Sequence, residues 1–146
     1  DRQARREITL LLQTPYLLKR SVRGNVAYGL NIRNGIGRGE CNERVEKALD
    51  MVGLSPKSFA GRYWFELSGV EAQRVALAAR LVLKPRVLLL DEPTASLDHE
   101  SACRIREATQ EARQNWSTSV IVVSHDQSWL GAMCDQVVHM ADGHLV

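Results

Sequence analysis

The residues best suited to chemistry fall in a few short stretches. Leu90-Asp91-Glu92 puts adjacent carboxylates directly after the apolar run Val87-Leu88-Leu89-Leu90. Neighbouring side chains at the end of a strand point to opposite sides of the strand line. One carboxylate can hold Mg²⁺, directly or through water, while the other polarises an attacking water. The plain alternative is a surface turn that begins with two acids, and Pro93 suits a turn in either case. Val123-Ser124-His125-Asp126 repeats the arrangement after a second apolar run and would bring His125 to the same edge. A single histidine is more often structural, but polar residues ending two consecutive core strands favour a shared site. Leu67-Ser68-Gly69-Val70-Glu71 opens a helix. Ser68 can cap it, Gly69 lets a backbone come close to an anion, and the free N–H groups with the positive end of the macrodipole favour phosphate. The alternative is an ordinary serine cap with Glu71 closing a capping box.

These residues need strands and helices to hold them. Ile8 to Leu12 reads as a short buried strand that stops at Gln13-Thr14-Pro15. From Pro15 to Gly39 no period holds, and Gly24, Gly29, Gly35, Gly37 and Gly39 with Asn25, Asn31 and Asn34 mark loops. Gly35-x-Gly37-x-Gly39 follows no strand and sits among charges, so it reads as a flexible linker rather than a phosphate loop. Asn42 then suits an N-cap for a helix with Val45, Ala48, Leu49 and Val52 on one side and Gly53 closing it. A second helix follows Ser68 and ends before Pro85. Val87–Leu90 and Val120–Val123 read as strands buried on both faces. Helices over His99–Gln114 and Gln127–Cys134 separate and follow them, Val137-Val138 begins another strand, and Asp142-Gly143 is a tight hairpin turn. Strands alternating with helices predict an α/β parallel sheet.

Composition removes several classes of function. The chain has 146 residues, 45% apolar and 25% charged, with 19 basic and 17 acidic residues giving a formal net charge of +2. That suits one soluble globular domain rather than a disordered chain. No apolar run reaches the ~18 residues of a membrane span, and Asp1 to Arg6 lack the apolar core of a secretion signal. Arg supplies 15 of the 19 basic residues, but they are scattered apart from Arg2, Arg5 and Arg6. With 5% aromatics and no interleaved stacking residues, no nucleic-acid partner is expected. Cys41, Cys103 and Cys134 are odd in number and form no C-x-x-C, which predicts free thiols in a reducing cytosol.

Taken together, Gln13, the Leu67–Arg74 stretch, Val87–Thr94, Ala95-Ser96-Leu97-Asp98 and Val123–Asp126 resemble the ordered motifs of ABC-type ATPases. The likeness runs from about Arg5 to Val146. It implies a partial P-loop NTPase-like domain: a mostly parallel core sheet flanked by helices, plus a helical subdomain. Residues 1–14 would end the first core segment with the Q-loop, 15–84 would hold the helical subdomain and signature helix, and 85–146 the RecA-like core. By the resemblance, Gln13 is the Q-loop glutamine, sensing Mg²⁺ and nucleotide, and Asp91 is the carboxylate near Mg²⁺. Glu92 is the catalytic base and His125 the switch histidine. Ser68, Gly69 and Glu71 belong to the signature that grips the γ-phosphate bound to the opposite subunit, and Asp98 is the D-loop acid. ATP and Mg²⁺ are the implied cofactors. The implied partners are a membrane permease and a second ATP-binding subunit, on the cytoplasmic inner face of the cell membrane. The signature stretch is similar to that of tungstate-like oxyanion importers, with amino-acid importers next.

Three departures from the family pattern stand out. No glycine is followed by lysine, so the loop G-x-x-x-x-G-K-[ST] that holds phosphates is absent from the 146 residues, as is the upstream adenine-stacking aromatic. The sequence therefore resembles the downstream portion of such a domain, is expected to hydrolyse no ATP alone, and is expected to self-associate through uncovered sheet surface. Val70 stands where a second glycine is usual, and its Cβ is placed to obstruct a phosphate. Ala79-Arg80 reverses the usual Arg-Ala order, turning the arginine by ~100° toward a different neighbour. Two other readings are a degenerate partner lending Ser68 and Gly69 in trans, and a non-transport ABC ATPase of DNA repair or translation.

Overall fold

A computed structural model describes residues 4–33, 36–95 and 97–146. The expectations placed on Arg2, Asn34, Gly35 and Ser96 lie outside the described residues. After a single helical turn α1 (Ala4–Glu7) comes strand β1 (Ile8–Leu11), followed by helices α2 (Val22–Arg33) and α3 (Arg38–Met51). A short α4 (Pro56–Phe59) and a 3₁₀ turn (Trp64–Glu66) lead to α5 (Gly69–Leu81). Strand β2 (Val87–Asp91), helix α6 (His99–Trp116), strand β3 (Ser119–Val123) and helix α7 (Gln127–Met133) follow. A hairpin of β4 (Met140–Ala141) and β5 (His144–Leu145) ends the chain.

The main sheet has the order β1-β2-β3, all parallel, with Leu11 opposite Leu90 and Asp91 opposite Val123. This is the α/β architecture expected from the alternation of strands and helices. The sheet has one covered face and one open face. Leu11, Leu88 and Leu90 are fully buried beside Val75, Ile105 and Ala108, where α5 packs along β1 and α6 along β3. Leu10, Ile121 and Val123 point the other way and are 44%, 58% and 62% exposed. The expectation that Val87–Leu90 and Val120–Val123 are buried on both faces is therefore corrected. An uninterrupted apolar run gives no sign of which face meets a helix, because side chains alternate whatever covers them.

The region from Pro15 to Gly39 is also not all loop, since α2 occupies its centre. Val22, Val26, Ala27 and Leu30 lie on its buried side, and packing against α3 and α5 outweighs the low helix propensity of its glycines and asparagines. Buried Asn25 works as a tether: its Oδ1 accepts from Leu18 N at 2.7 Å and its Nδ2 donates to Leu18 O at 3.1 Å. Gly29 permits close approach, since a Cβ there would stand 2.9 Å from Leu83 Cδ2. Gly39 lies inside α3, whose N-cap is Gly37, so Asn42 is an interior residue that accepts from Arg23 rather than a cap. Gly53, at φ +71, does close that helix. Helix α5 stops at Leu81, ahead of Pro85. Val137-Val138 starts no strand, and the terminal hairpin stays outside the parallel sheet, although Asp142-Gly143 turns it as expected.

Candidate functional site

Leu88 and Leu90 anchor β2 in the core, so the next residues emerge at the carboxyl edge of the sheet. Asp91 is half-buried there, and Gln13 lies exposed just past β1 at the same edge. Glu92 has a left-handed backbone at φ +44. Among the described residues the other non-glycine positions with positive φ are Lys84 after α5, Ser117 closing α6 and Asp142 in the hairpin, which are ordinary helix ends and a turn. Glu92 follows a strand instead, and holding it there costs about 1–2 kcal/mol. Strain of this kind gathers at sites where surrounding contacts fix an unfavourable conformation.

Those contacts come from the end of β3 and the link that follows it. Glu92 N donates to Val123 O at 2.8 Å. Its Oε1 accepts from His125 N at 3.0 Å and lies 3.4 Å from His125 Nε2. Its Oε2 accepts from Ser124 Oγ at 3.3 Å. The Glu92 side chain is 15% exposed and the His125 ring fully so. The two residues singled out at the ends of consecutive strands therefore converge, with an acid held and half-shielded beside an imidazole open to the outside. Ser124 lay within the sequence motif without a role, since hydroxyls at strand ends carry no signal of their own.

The start of α5 is built differently. Ser68 Oγ accepts from Glu71 N at 3.2 Å and Glu71 Oε2 accepts from Ser68 N at 2.7 Å, a complete capping box. The Ser68 backbone bond, ahead of Ser68 Oγ and the nearby Arg62 and Arg74 charges, holds the Glu71 carboxyl below its ordinary value. Nothing lies within 4 Å of the place a Gly69 Cβ would occupy, so the helix start is open to an approaching molecule. Val70 is half-buried beside it. Gln73, about one turn along, is buried and its Nε2 donates to Pro93 O at 3.4 Å, tying this helix to the segment after Glu92.

Asp98 caps α6, accepting from Ser101 N at 2.9 Å and Ser101 Oγ at 3.1 Å. The Ser101 amide bond lowers its carboxyl below the ordinary range. The described hydrogen bonds to the Glu92 carboxylate come from Ser124 and His125, and none comes from Ser68, Gly69, Glu71 or Asp98. Arg80, in the reversed Ala-Arg pair, donates from Nε to Leu10 O at 3.0 Å and fastens α5 to β1. Burial lowers its guanidinium from the ordinary arginine value. Cys41, Cys103 and Cys134 are free thiols, as expected. Among the described residues no helix is long and apolar enough to cross a membrane. Among them, too, no group of three or more His, Cys, Asp or Glu could hold a metal ion. A cation caged by protein ligands does not fit this donor set. One that keeps its waters and leans on a single carboxylate and on phosphate oxygens does.

This is an α/β domain whose polar cluster lies at the carboxyl edge of parallel strands, the place where ligands gather in such sheets. Residues 1–95 match the family described as ABC transporter, and the chain belongs to that family. It is 39% identical over 142 residues to the Fe(3+) ions import ATP-binding protein FbpC of Escherichia coli O157:H7, covering 97% of this chain and 40% of that protein. It is 35% identical over 143 residues to the tungstate uptake system ATP-binding protein TupC of Peptoclostridium acidaminophilum, covering 98% of this chain and 65% of that one. The chain thus spans less than two thirds of these relatives. Its fold superposes with TM-score 0.88 at 27% identity on the ATP-binding cassette MJ0796, solved as a dimer in a post-hydrolysis state bound to ADP and Pi, over 99% of this chain and 63% of that one. With cbiO1 from Clostridium perfringens, part of the ABC transporter complex cbiONQ, the TM-score is 0.84 at 30% identity, over 97% of this chain and 56% of that one.

Proposed function

We propose that this chain is part of the ATP-binding subunit of an ABC importer, and that Glu92 is its catalytic base. The observation that carries the reading is the convergence of Glu92 and His125, 3.4 Å apart at the carboxyl edge. A carboxylate held by hydrogen bonds can orient and polarise a water for in-line attack on a γ-phosphate, where positioning and charge stabilisation do most of the work. His125, open to the outside, contacts that phosphate. Asp91 and Gln13 would hold Mg²⁺, which would supply charge neutralisation at the phosphate oxygens. Ser68, Gly69 and Glu71 present the start of α5 to ATP on a second subunit, and Asp98 lies at that junction. The dimeric state of MJ0796 and the open space over Gly69 support this arrangement.

On this reading residues 15–84 form the arm that meets a membrane permease and 85–146 the catalytic core, on the cytoplasmic face of the membrane. The relatives FbpC and TupC bear names for Fe(3+) and tungstate, which together support an inorganic ion as the solute, and the TupC name supports a tungstate-like oxyanion. The test is phosphate release from ATP, with Mg²⁺ present, by a longer protein that carries these 146 residues together with a G-x-x-x-x-G-K-[ST] loop. Glu92→Gln lowers its rate at least about 10²-fold, the contribution of a positioned base. The 146 residues alone, without a G-x-x-x-x-G-K-[ST] loop, release phosphate no faster than their own Glu92→Gln control. Equal rates for the longer protein and its variant overturn the assignment of Glu92.

A further inference from the structure

We infer that Ser124 is the positioning residue of this site: its hydroxyl, rather than the His125 ring, fixes the carboxylate of Glu92. The inference rests on the reading of Glu92 as the base. The parallel register that sets Asp91 opposite Val123 brings the next pair, Glu92 and Ser124, side by side. Ser124 Oγ has a defined neighbour on each side: Asp126 N at 3.1 Å and Glu92 Oε2 at 3.3 Å. A backbone amide can only donate and an ionised carboxylate can only accept. The hydroxyl therefore accepts from Asp126 and donates to Glu92, so the direction of its proton is set by the backbone.

The carboxylate is thus gripped at both oxygens by consecutive residues, Oε2 by Ser124 Oγ and Oε1 by His125 N. Both donors sit on the short link between β3 and α7, and Asp126 secures that link by capping α7 through Trp129 N at 2.9 Å. The His125 ring, fully exposed and 3.4 Å from Oε1, is the loosest of the three contacts and is free to turn outward without releasing Glu92. One hydroxyl thus lets the base stay aimed while the histidine makes contacts elsewhere.

Hydrogen exchange resolved to single amides tests this in the 146-residue chain, without nucleotide. In Ser124→Ala the Asp126 amide loses its acceptor and exchanges faster whatever Ser124 does. The informative amide is His125, whose protection depends on Glu92 staying in place. If Ser124 aims Glu92, His125 exchange rises about fivefold, the factor of a typical net hydrogen bond, and Ser124→Thr restores it. Glu92→Ala serves as the second variant: it removes the acceptor of His125 N and speeds His125 while leaving Asp126 protected by Ser124, and adding it to Ser124→Ala brings no further rise. Faster exchange at Asp126 alone, with His125 unchanged, overturns the inference. Because no hydrolysis is measured, that outcome leaves the rate test of Glu92 standing on its own.

Discussion

The start of α5 and the end of β2 hold their acids in opposite ways. At α5, Ser68 and Glu71 satisfy each other within three residues of chain. At β2, Glu92 reaches across to Ser124 and His125, more than 30 residues away, and adopts a left-handed backbone to do so. The first arrangement is closed and local. Its carboxylate is already engaged, and what it leaves open is backbone at Gly69. The second holds its carboxylate at both oxygens from a distant segment, at the edge where a substrate would arrive. A helix start of the first kind suits gripping a phosphate, and a strand end of the second kind suits handling a proton.

The sharpest way to break this contrast is to loosen the strand under Glu92. Leu90→Ala removes a fully covered side chain beside the site and is expected to cost about 2–5 kcal/mol, read as a lower midpoint in urea. On the open face of the same sheet, Ile121→Lys is expected to change that midpoint by less than about 0.5 kcal/mol. It is also expected to lower the self-association predicted for the parent chain, read by light scattering, because Leu10, Ile121 and Val123 form an exposed apolar strip. At the local site, Ser68→Ala is expected to cost about 1 kcal/mol, the worth of a serine cap, with His125 exchange unmoved.

The smallest effect is on acid stability. Glu71 and Asp98, held by Ser68 and Ser101 amides respectively, and Asp126, held by the Trp129 amide, all have carboxyls lowered from their ordinary values. Folded groups that protonate less readily than unfolded ones stabilise the chain above the ordinary carboxylate range, about pH 4. That contribution disappears as the pH falls through their lowered folded values. Urea midpoints are therefore expected to be flat above about pH 6 and to drop below about pH 4. Ser68→Ala removes part of the drop, since Glu71 then loses one of its partners.

What was legible in the sequence follows the same division. The capping box at Ser68, the glycine closing α3 and the turn at Asp142-Gly143 depend on neighbours a few residues away, and each formed as read. The helix over Val22–Arg33 was not legible, because its residues taken locally favour a loop and only burial against α3 and α5 makes them helical. The open face of β3 was hidden for a related reason: Val120-Ile121-Val122-Val123 is apolar at every position and carries no mark of where helices lie.

The residues by themselves determined the alternation of strands and helices from Ser68 to α7, the helix ends at Ser68 and Gly53, and the placing of Asp91, Glu92 and His125 at the ends of apolar runs. Apolar runs and caps are short-range features, written in adjacent side chains. Only the tertiary structure decided that β2 and β3 lie in a register placing Glu92 beside Ser124, that the carboxylate is held there, and that one face of the sheet stays uncovered. Those outcomes depend on how segments far apart in the chain pack, and on contacts strong enough to outweigh a strained backbone at Glu92.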